Sequence, residues 1–223
     1  MHILEVCAAS IASTKAAAEG GAQRIELCTR LDLDGLTPSF EEIRQANAID
    51  GMKVNVLIRF REGNFVYSKE EFRLMERQIR DARELGVDGI VIGALTPAGD
   101  IDKDACERLM QAAGGLPVTF HRAFDQCRDA MQGLEDIISL GCTRLLTSGQ
   151  SLTAEEGIPL LRKLYEQANG RIIIMPGAGV NPGNAARILR ETGCREIHSS
   201  ARKPGESNTS AEVVRNILAE INK

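Results

Sequence analysis

The chain has 223 residues, 43% of them hydrophobic, and carries a formal net charge of -4 at neutral pH. This apolar share supports a sizeable core and argues against an intrinsically disordered chain. The acidic balance argues against non-specific nucleic-acid binding, which needs a basic surface. The sequence contains no run of about 18 apolar residues, so no segment is predicted to span a bilayer.

The N-terminal segment MHILEVCAAS has no basic region followed by a long apolar stretch, so we predict no signal peptide and a cytoplasmic location. The cysteines form no CxxC pair, and in a cytoplasmic chain of this size we expect free thiols. Each is by default a small buried core residue. The six positions are Cys7, Cys28, Cys106, Cys127, Cys142 and Cys194.

A weak internal repeat organises the chain. Four segments share an acidic or small residue, any residue, a glycine and then a short apolar run. They read EGGAQRIEL from Glu19, ELGVDGIVI from Glu84, SLGCTRLLT from Ser139 and ETGCREIHS from Glu191. Each follows an amphipathic stretch, which is typical of a helix that ends at a left-handed glycine and is followed by a strand.

Strands and helices are predicted to alternate along the whole chain. The predicted strands are 3–7, 23–28, 54–59, 88–93, 117–121, 143–148, 171–175 and 195–199. The predicted helices are 11–19, 40–48, 69–85, 103–113, 131–140, 158–169, 182–192 and 211–221. Ser39 with Glu42 and Ser68 with Glu71 have the spacing of helix-capping boxes.

Alternating strands and helices form a parallel sheet. Eight such units match a small TIM (β/α)8 barrel, which we predict as a single domain over residues 1–223. A doubly wound open sheet is the alternative. No linker rich in proline, glycine or serine divides the chain.

The alternation of side chains along the strands separates an apolar face from a polar one. In the segment PVTFHRAFD, for example, Val118 and Phe120 oppose Thr119 and His121. The apolar face should pack on the helices, so the polar face should point into the barrel. That inward set comprises Glu5, Glu26, Asn55, Arg59, Thr119, His121 and His198.

Two interpretations of this polar interior remain open. One is an internal salt-bridge network, such as Glu26 with Arg59, that only stabilises the barrel. The other is a polar pocket at the carboxyl ends of the strands, where the active sites of such barrels lie. The position of most of these groups late in their strands favours the pocket.

Four of the inward residues are candidates for catalysis. His121 and His198 are potential acid–base groups, Glu26 could tune them, and Arg59 could orient an anion. Two histidines and a glutamate are also a possible zinc set, although no HExxH-like spacing supports it. No lysine ends a strand, no GxSxG elbow occurs, and no nucleotide-binding motif occurs, so no nucleotide cofactor is expected.

The segment IMPGAGV after the seventh strand and HSSA after the eighth are candidates for anion binding. Gly177 and Gly179 could expose backbone N–H groups, and Ser199 and Ser200 could add donors. Barrels often bind phosphate in these two loops. A tight turn that merely needs glycine is the alternative.

Cys7 and Cys28 are candidates for metal binding. They end neighbouring predicted strands in the shared form Glu-x-Cys, and neighbouring strands lie about 4.8 Å apart. Soft thiolates select Cu(I), so the two sulfurs could form a two-coordinate site. Spacing alone equally permits two small core residues.

Together these motifs resemble the CutC copper-homeostasis family. The matching pieces are LEVC, GGAQRIELC, DGLTPS, GALTPAGDID, GGLPVTFHRAFD, LLTSG, IMPGAGV and EIHSSA, in order from residue 4 to 201. The resemblance implies a cytoplasmic TIM barrel, a homo-oligomer such as a dimer or tetramer, and Cu(I) ligands at Cys7 and Cys28. The stretch AASIAS after Cys7 departs from the acidic residues expected there.

Two functions therefore stand side by side. The first is the handling of intracellular Cu(I) by the two thiols. The second is an enzyme, of isomerase or lyase type, acting on a small anionic or phosphorylated metabolite at the barrel mouth. Neither requires a nucleic-acid or membrane partner.

Overall fold

The computed structural model describes residues 2–223 and contains eight strands, each followed by a helix. The strands are β1 (Ile3–Ala8), β2 (Arg24–Leu27), β3 (Lys53–Leu57), β4 (Gly89–Ile92), β5 (Val118–Phe120), β6 (Arg144–Thr147), β7 (Ile173–Pro176) and β8 (Glu196–Ser199). The helices are α1 (Ile11–Glu19), α2 (Phe40–Asn47), α3 (Lys69–Glu84), α4 (Lys103–Ala113), α5 (Ala130–Ser139), α6 (Ile158–Ala168), α7 (Ala185–Thr192) and α8 (Ala211–Ile221). Two short 3₁₀ helices, Leu31–Leu33 and Arg122–Gln126, lie in loops.

The strands form one parallel sheet in the order β7-β6-β5-β4-β3-β2-β1-β8. Strands β7 and β8, at the two ends of this order, lie side by side, so the sheet is nearly closed. Each strand neighbours its predecessor in sequence, and β8 pairs with β1. This order confirms the predicted TIM barrel and rules out the doubly wound sheet, whose strand order reverses partway.

The local signals in the sequence explain the element boundaries. The serines at Ser39 and Ser68 both form complete capping boxes, as predicted. In all four repeat segments the glycine has positive φ, between 78° and 92°, where other residues are strained. These glycines are Gly21, Gly86, Gly141 and Gly193.

The apolar face of each strand packs against the helices, as its alternation predicts. Val54, Val56 and Ile58 are fully buried in this layer, as are the large side chains of Phe120 and Leu134. Burial of this apolar area is the main favourable contribution to folding. Between His2 and Lys223, no helix combines the length and hydropathy that crossing a membrane requires.

The interior of the barrel contains a layer of buried charges near the amino ends of the strands. The Nε atom of Arg24 donates to Oε2 of Glu5 at 2.7 Å, and its Nη2 atom donates to Glu196. Glu196 also accepts a hydrogen bond of 2.8 Å from Nε of Arg144. Nδ2 of Asn55 donates to the same Glu5 oxygen at 2.9 Å.

A buried salt-bridge network, which was the alternative interpretation of the polar interior, therefore exists, but the suggested pair of Glu26 and Arg59 does not belong to it. Arg24, and not Arg59, is the central cation of this network. Arg24 begins β2, and its side chain points inward one layer below Glu26. In residues 2–223, Glu26 and Arg59 form no ion pair with each other. The cation of the stabilising layer, Arg24, is thus a different residue from Arg59 at the mouth.

We predict that Arg24→Met lowers the free energy of unfolding by about 3–5 kcal/mol, because it leaves two buried carboxylates without their shared cation. Urea denaturation followed by circular dichroism measures this change. The matched control is Arg44→Met, which removes an exposed arginine paired with Glu41 at 2.7 Å and should leave the midpoint essentially unchanged. Equal midpoints for the two variants would show that the buried layer does not stabilise the barrel.

Candidate functional site

The carboxyl ends of the strands open into a cavity of about 830 Å³. This volume lies within the range of about 300–1,000 Å³ that small-molecule sites occupy. The cavity is lined by one of the two candidate copper ligands and by all four candidate catalytic residues. Those five residues are Cys7, Glu26, Arg59, His121 and His198.

Cys7 and Cys28 meet at the floor of this cavity. Their Sγ atoms lie 3.7 Å apart. Strands β1 and β2 pair in parallel, with Cys7 opposite Glu26, and Cys28 is the first residue after β2. This register brings the two thiols together. Cys7 reaches the cavity, whereas Cys28 is 1% exposed behind it. Hydrogen bonding to Cys28 and burial raise the pKa of Cys7 well above its usual value, so the thiol is protonated until a ligand displaces the proton.

His198 lies between the two carboxylates that precede these cysteines. Its Nδ1 atom is 3.0 Å from Oε1 of Glu5, and its Nε2 atom is 3.9 Å from Oε2 of Glu26. Burial alone would lower the pKa of His198, but contacts with Cys7 and Glu5 raise it well above its usual value. This direction favours the protonated form of His198, which the carboxylate of Glu5 stabilises.

The two glutamates have opposite properties because only one of them has hydrogen-bond partners. Burial tends to raise the pKa of Glu5, but the bond from His198 and the charge of Arg24 hold it at about 2. Burial raises the pKa of Glu26 to about 7, with only partial compensation from His198. Oε2 of Glu26 has no hydrogen-bond partner among residues 2–223, so it can exchange a proton or bind a ligand.

Glu5, Glu26 and His198 also form a cluster with the donor spacing of a metal site. One ligand atom from each lies within 4.8 Å of the others. Both oxygens of Glu5 already accept hydrogen bonds, one of them from Arg24 and Asn55. The atoms free to hold an ion are therefore those of Glu26 and the Nε2 side of His198.

His121 lies apart from this cluster. Its Nδ1 atom accepts a hydrogen bond of 3.0 Å from the N–H of Ala123, at the start of a 3₁₀ helix, and its ring packs 5.0 Å from the ring of Phe65. Burial and the charge of Arg59 lower the pKa of His121 to about 3. The structure thus makes His121 a neutral imidazole, and the two-histidine zinc set considered from the sequence does not come together around Glu26.

Arg59 connects two loops at the mouth. Its Nη1 atom donates to the carbonyl oxygens of Leu33 at 2.7 Å and Gly35 at 2.9 Å, and Nη2 donates to Gly63 at 3.2 Å. The guanidinium lies 5.2 Å from the centroid of Phe65. The residue therefore holds the loops after β2 and β3 together, and its buried Nε atom has no hydrogen-bond partner among residues 2–223.

The two glycines in the loop after β7 differ in whether their backbone N–H groups are available to a ligand. The N–H of Gly177 is used by the carbonyl of Thr147 at 3.0 Å, and a Cβ there would lie 2.5 Å from Leu146. Gly179 has a φ of +69°, and the backbone N–H groups of 178–180 bond to no acceptor in residues 2–223.

The serines after β8 differ in the same way. The hydroxyl of Ser199 donates to the carbonyl of Val180 at 2.7 Å, and its oxygen accepts from the N–H of Ala201 at 3.0 Å. Ser200 and Gly179 both line the cavity, and the Oγ atom of Ser200 accepts a hydrogen bond of 3.2 Å from Nε of Arg202 while its hydroxyl proton stays available. Gly179 and Ser200 are therefore the two candidate anion-binding residues with groups still free to contact a ligand.

Asp125, the last residue of PVTFHRAFD, fixes the loop after β6. It accepts hydrogen bonds from the hydroxyl of Thr147 and from the N–H of Ser148 at 3.1 Å, and it pairs with Arg122 at 2.9 Å. Its carboxylate is thus a structural clamp at the cavity rim. The polar end of this segment thus contains His121, which lines the cavity, and Asp125, which holds the loop after β6 in place.

Sequence analysis missed two contributors to the site. Glu5 was recognised as inward-facing, but its role as the partner of His198 was not; the repeated form Glu-x-Cys in β1 and β2 was the available signal. Phe65, which packs on both Arg59 and His121, comes from an irregular loop whose sequence carries no periodic pattern.

Comparison with known proteins gives a consistent result. The sequence model of the CutC family matches residues 2–203. A protein named CutC from Bacteroides fragilis is 52% identical over 203 residues, which is 91% of this chain and 81% of the relative. The human copper homeostasis protein cutC homolog is 47% identical over 205 residues, which is 92% of this chain and 75% of the relative.

Solved structures agree with the sequence comparisons. The crystal structure of a protein named CutC from Streptococcus agalactiae superposes with a TM-score of 0.86 at 39% identity, covering 90% of this chain and 99% of that one. A thiamine phosphate pyrophosphorylase from Pyrococcus furiosus superposes at 0.67 with 17% identity, which shows a shared barrel fold and nothing more. The chain belongs to the CutC family of copper-homeostasis proteins.

Proposed function

We propose that this protein handles Cu(I) through Cys7 and Cys28. The observation that carries the proposal is the 3.7 Å separation of two thiol sulfurs at the floor of an accessible cavity. Thiolates are the ligands that select Cu(I) in proteins. The copper-homeostasis name of the human relative, which is 47% identical to this chain, supports the same function.

The surroundings of the thiols suit a monovalent cation. Binding releases the two thiol protons, because the metal ligand is the thiolate. Two thiolates with one Cu(I) carry a net charge of about -1, which is costly to bury without a counter-charge. The imidazolium of His198, in contact with Cys7, supplies that counter-charge.

The proposal places the protein in the cytoplasm as a homo-oligomer, a dimer or a tetramer. Support for the compartment comes from the six free cysteines, since such thiols persist where glutathione keeps them reduced. Copper is then a cargo that enters and leaves through the cavity mouth.

We predict that the wild-type protein, fully reduced, binds one Cu(I) per chain, and that Cys7→Ala combined with Cys28→Ala weakens this binding by at least about 100-fold. Competition with a colorimetric Cu(I) chelator measures the affinity. The matched control is Cys106→Ala combined with Cys142→Ala, which removes another pair of buried thiols and should keep the wild-type affinity. Unchanged affinity in the first double variant would reject Cys7 and Cys28 as the ligands.

A second candidate function is an isomerase or lyase acting on a small anionic or phosphorylated metabolite. The unused N–H groups at 178–180 favour it, because such backbone donors commonly bind phosphate. Glu26, with a pKa of about 7, and the adjacent His198 form an acid–base pair in the same cavity. A two-thiol copper site does not require these features.

We predict that a member of a sugar-phosphate set raises the melting temperature of the protein, since a ligand at 100 times its Kd stabilises the folded state by about 2.7 kcal/mol. Gly179→Ala, which places a Cβ at positive φ and 3.1 Å from Thr153, should remove this shift. The double variant at Cys7 and Cys28 should retain it. The enzyme proposal fails if no member of the set shifts the melting temperature and phosphate soaked into crystals leaves no density beside Gly179.

A further inference from the structure

Arg59 is a buried cation without a carboxylate partner. Its side chain is enclosed at the cavity, with 4% of the residue exposed, and its Nη atoms donate only to main-chain carbonyls. Among residues 2–223, no acidic side chain forms an ion pair with it. Carbonyl dipoles compensate a buried charge only in part, and an unpaired buried charge is costly. Arg59 therefore lacks a counter-charge among residues 2–223. We refer to the part of the cavity wall formed by Arg59, His121 and Phe65 as the Arg59 corner.

Two N–H donors at the same corner lack acceptors. Nε of Arg59 is buried without a hydrogen-bond partner, and so is Nε2 of His121, a residue that is 5% exposed. Because Nδ1 of His121 accepts from the N–H of Ala123, the single proton of the neutral ring lies on Nε2. Both unpaired groups are thus donors, and an unsatisfied buried donor costs about 1–3 kcal/mol.

The two donors belong to one wall. Arg59 and His121 both line the cavity, and both pack against the ring of Phe65, the guanidinium at 5.2 Å and the imidazole at 5.0 Å from its centroid. Their strands, β3 and β5, are separated only by β4 in the sheet. A ligand that satisfies both must carry negative charge and accept two hydrogen bonds in a partly apolar setting.

We propose that Arg59 and His121 bind the carboxylate group of a small metabolite. The two oxygens of a carboxylate match one N–H from each residue, and its single charge matches the one unpaired cation. A phosphate carries up to two charges, which exceeds the one unpaired cation, and three of the four Nη hydrogens of Arg59 already serve loop carbonyls. The inference deepens the second candidate function, since it names the chemistry of the cavity ligand, and it is independent of copper binding.

His121 takes a different role here from the one that the sequence suggested. A neutral imidazole with Nε2–H cannot act as a base at that atom, but it can donate a hydrogen bond to an oxygen.

Acetate tests the proposal, because it is a small monocarboxylate, is far smaller than the 830 Å³ cavity, and has an uncharged amide of the same shape. Nitrogen–proton correlation spectra of the full chain follow the Arg59 Nε–H and His121 Nε2–H signals during the titration, with chloride held at matched ionic strength. We expect saturable downfield shifts of both signals with acetate. Acetamide, equal in shape but uncharged, should leave both signals unmoved.

Variants separate a ligand role from a structural one. His121→Asn should fold, because asparagine can still accept from the N–H of Ala123 at this capping position, and it should weaken acetate binding by at least about tenfold. Arg59→Met should abolish binding, with circular dichroism as the check on folding. The matched control is Arg122→Gln at the same cavity, an exposed arginine already paired with Asp125, and it should bind acetate as the wild type does.

Each outcome decides the proposal. No saturable shift, equal shifts with acetamide, or undiminished binding by His121→Asn would overturn it. Measuring Cu(I) affinity and the response to sugar phosphates on the same samples keeps the tests apart. If a variant loses acetate binding but keeps its Cu(I) affinity, the substitution acts on the site formed by Arg59 and His121 and not on the thiols. If the wild type binds acetate but does not respond to any sugar phosphate, phosphate binding at the loop after β7 is rejected and the carboxylate site is retained.

Discussion

The hydrogen bond between Glu5 and His198 joins the two halves of this barrel's interior. Glu5 completes the stabilising layer through Arg24 and Asn55, and it also fixes the ring of His198 beside Cys7 and Glu26. A fully buried carboxylate persists as an anion only when several donors surround it. The position of His198, and with it the chemistry at the cavity floor, therefore depends on charges that lie one layer deeper.

Burial gives similar side chains different properties according to the partners each one finds. Glu5 and Glu26 occupy neighbouring strands, yet the pKa of the first is about 2 and that of the second about 7. His198 gains a proton through its carboxylate and thiol neighbours, whereas His121, near the cation of Arg59, loses one. Two carboxyl groups and two imidazoles thus provide a titrating acid, a cation and a neutral donor that line one cavity, and a buried anion, Glu5, behind its wall.

The sequence predicted the barrel because its signals are local and repeated. Four glycines at helix ends, alternation in the strands and two capping boxes each reflect the conformation of a few adjacent residues. Alternation also predicted which residues face inward. It could not predict the hydrogen-bond partners of these residues. A strand fixes the face on which a side chain lies, but neither the side-chain rotamer nor the loop residues that the side chain contacts. Arg59 reaches the carbonyls of Leu33 and Gly35 in a loop, and no strand pattern could indicate that.

The same limit explains why the functions of His121 and Asp125 could not be predicted. Both residues are used by the chain immediately around them, His121 to cap its own 3₁₀ turn and Asp125 to anchor the loop after β6. Whether a polar residue serves the backbone or a ligand depends on which of its atoms are already occupied. The unoccupied atoms, Nε2 of His121, Nε of Arg59 and Oε2 of Glu26, are visible only in three dimensions.

Charge balance allows the proposed copper site and the proposed carboxylate site to share one cavity. A Cu(I) dithiolate and a carboxylate are both anionic, and two anions sharing one buried cation would compete. Here each has its own: His198 lies against Cys7 on the β8 side, and Arg59 lies with His121 on the β3 and β5 side. Because each proposed ligand neutralises a different residue, binding at one site does not remove the positive charge that attracts the ligand of the other site. A barrel that only sequestered copper would need the first cation and would have no use for an unpaired second one.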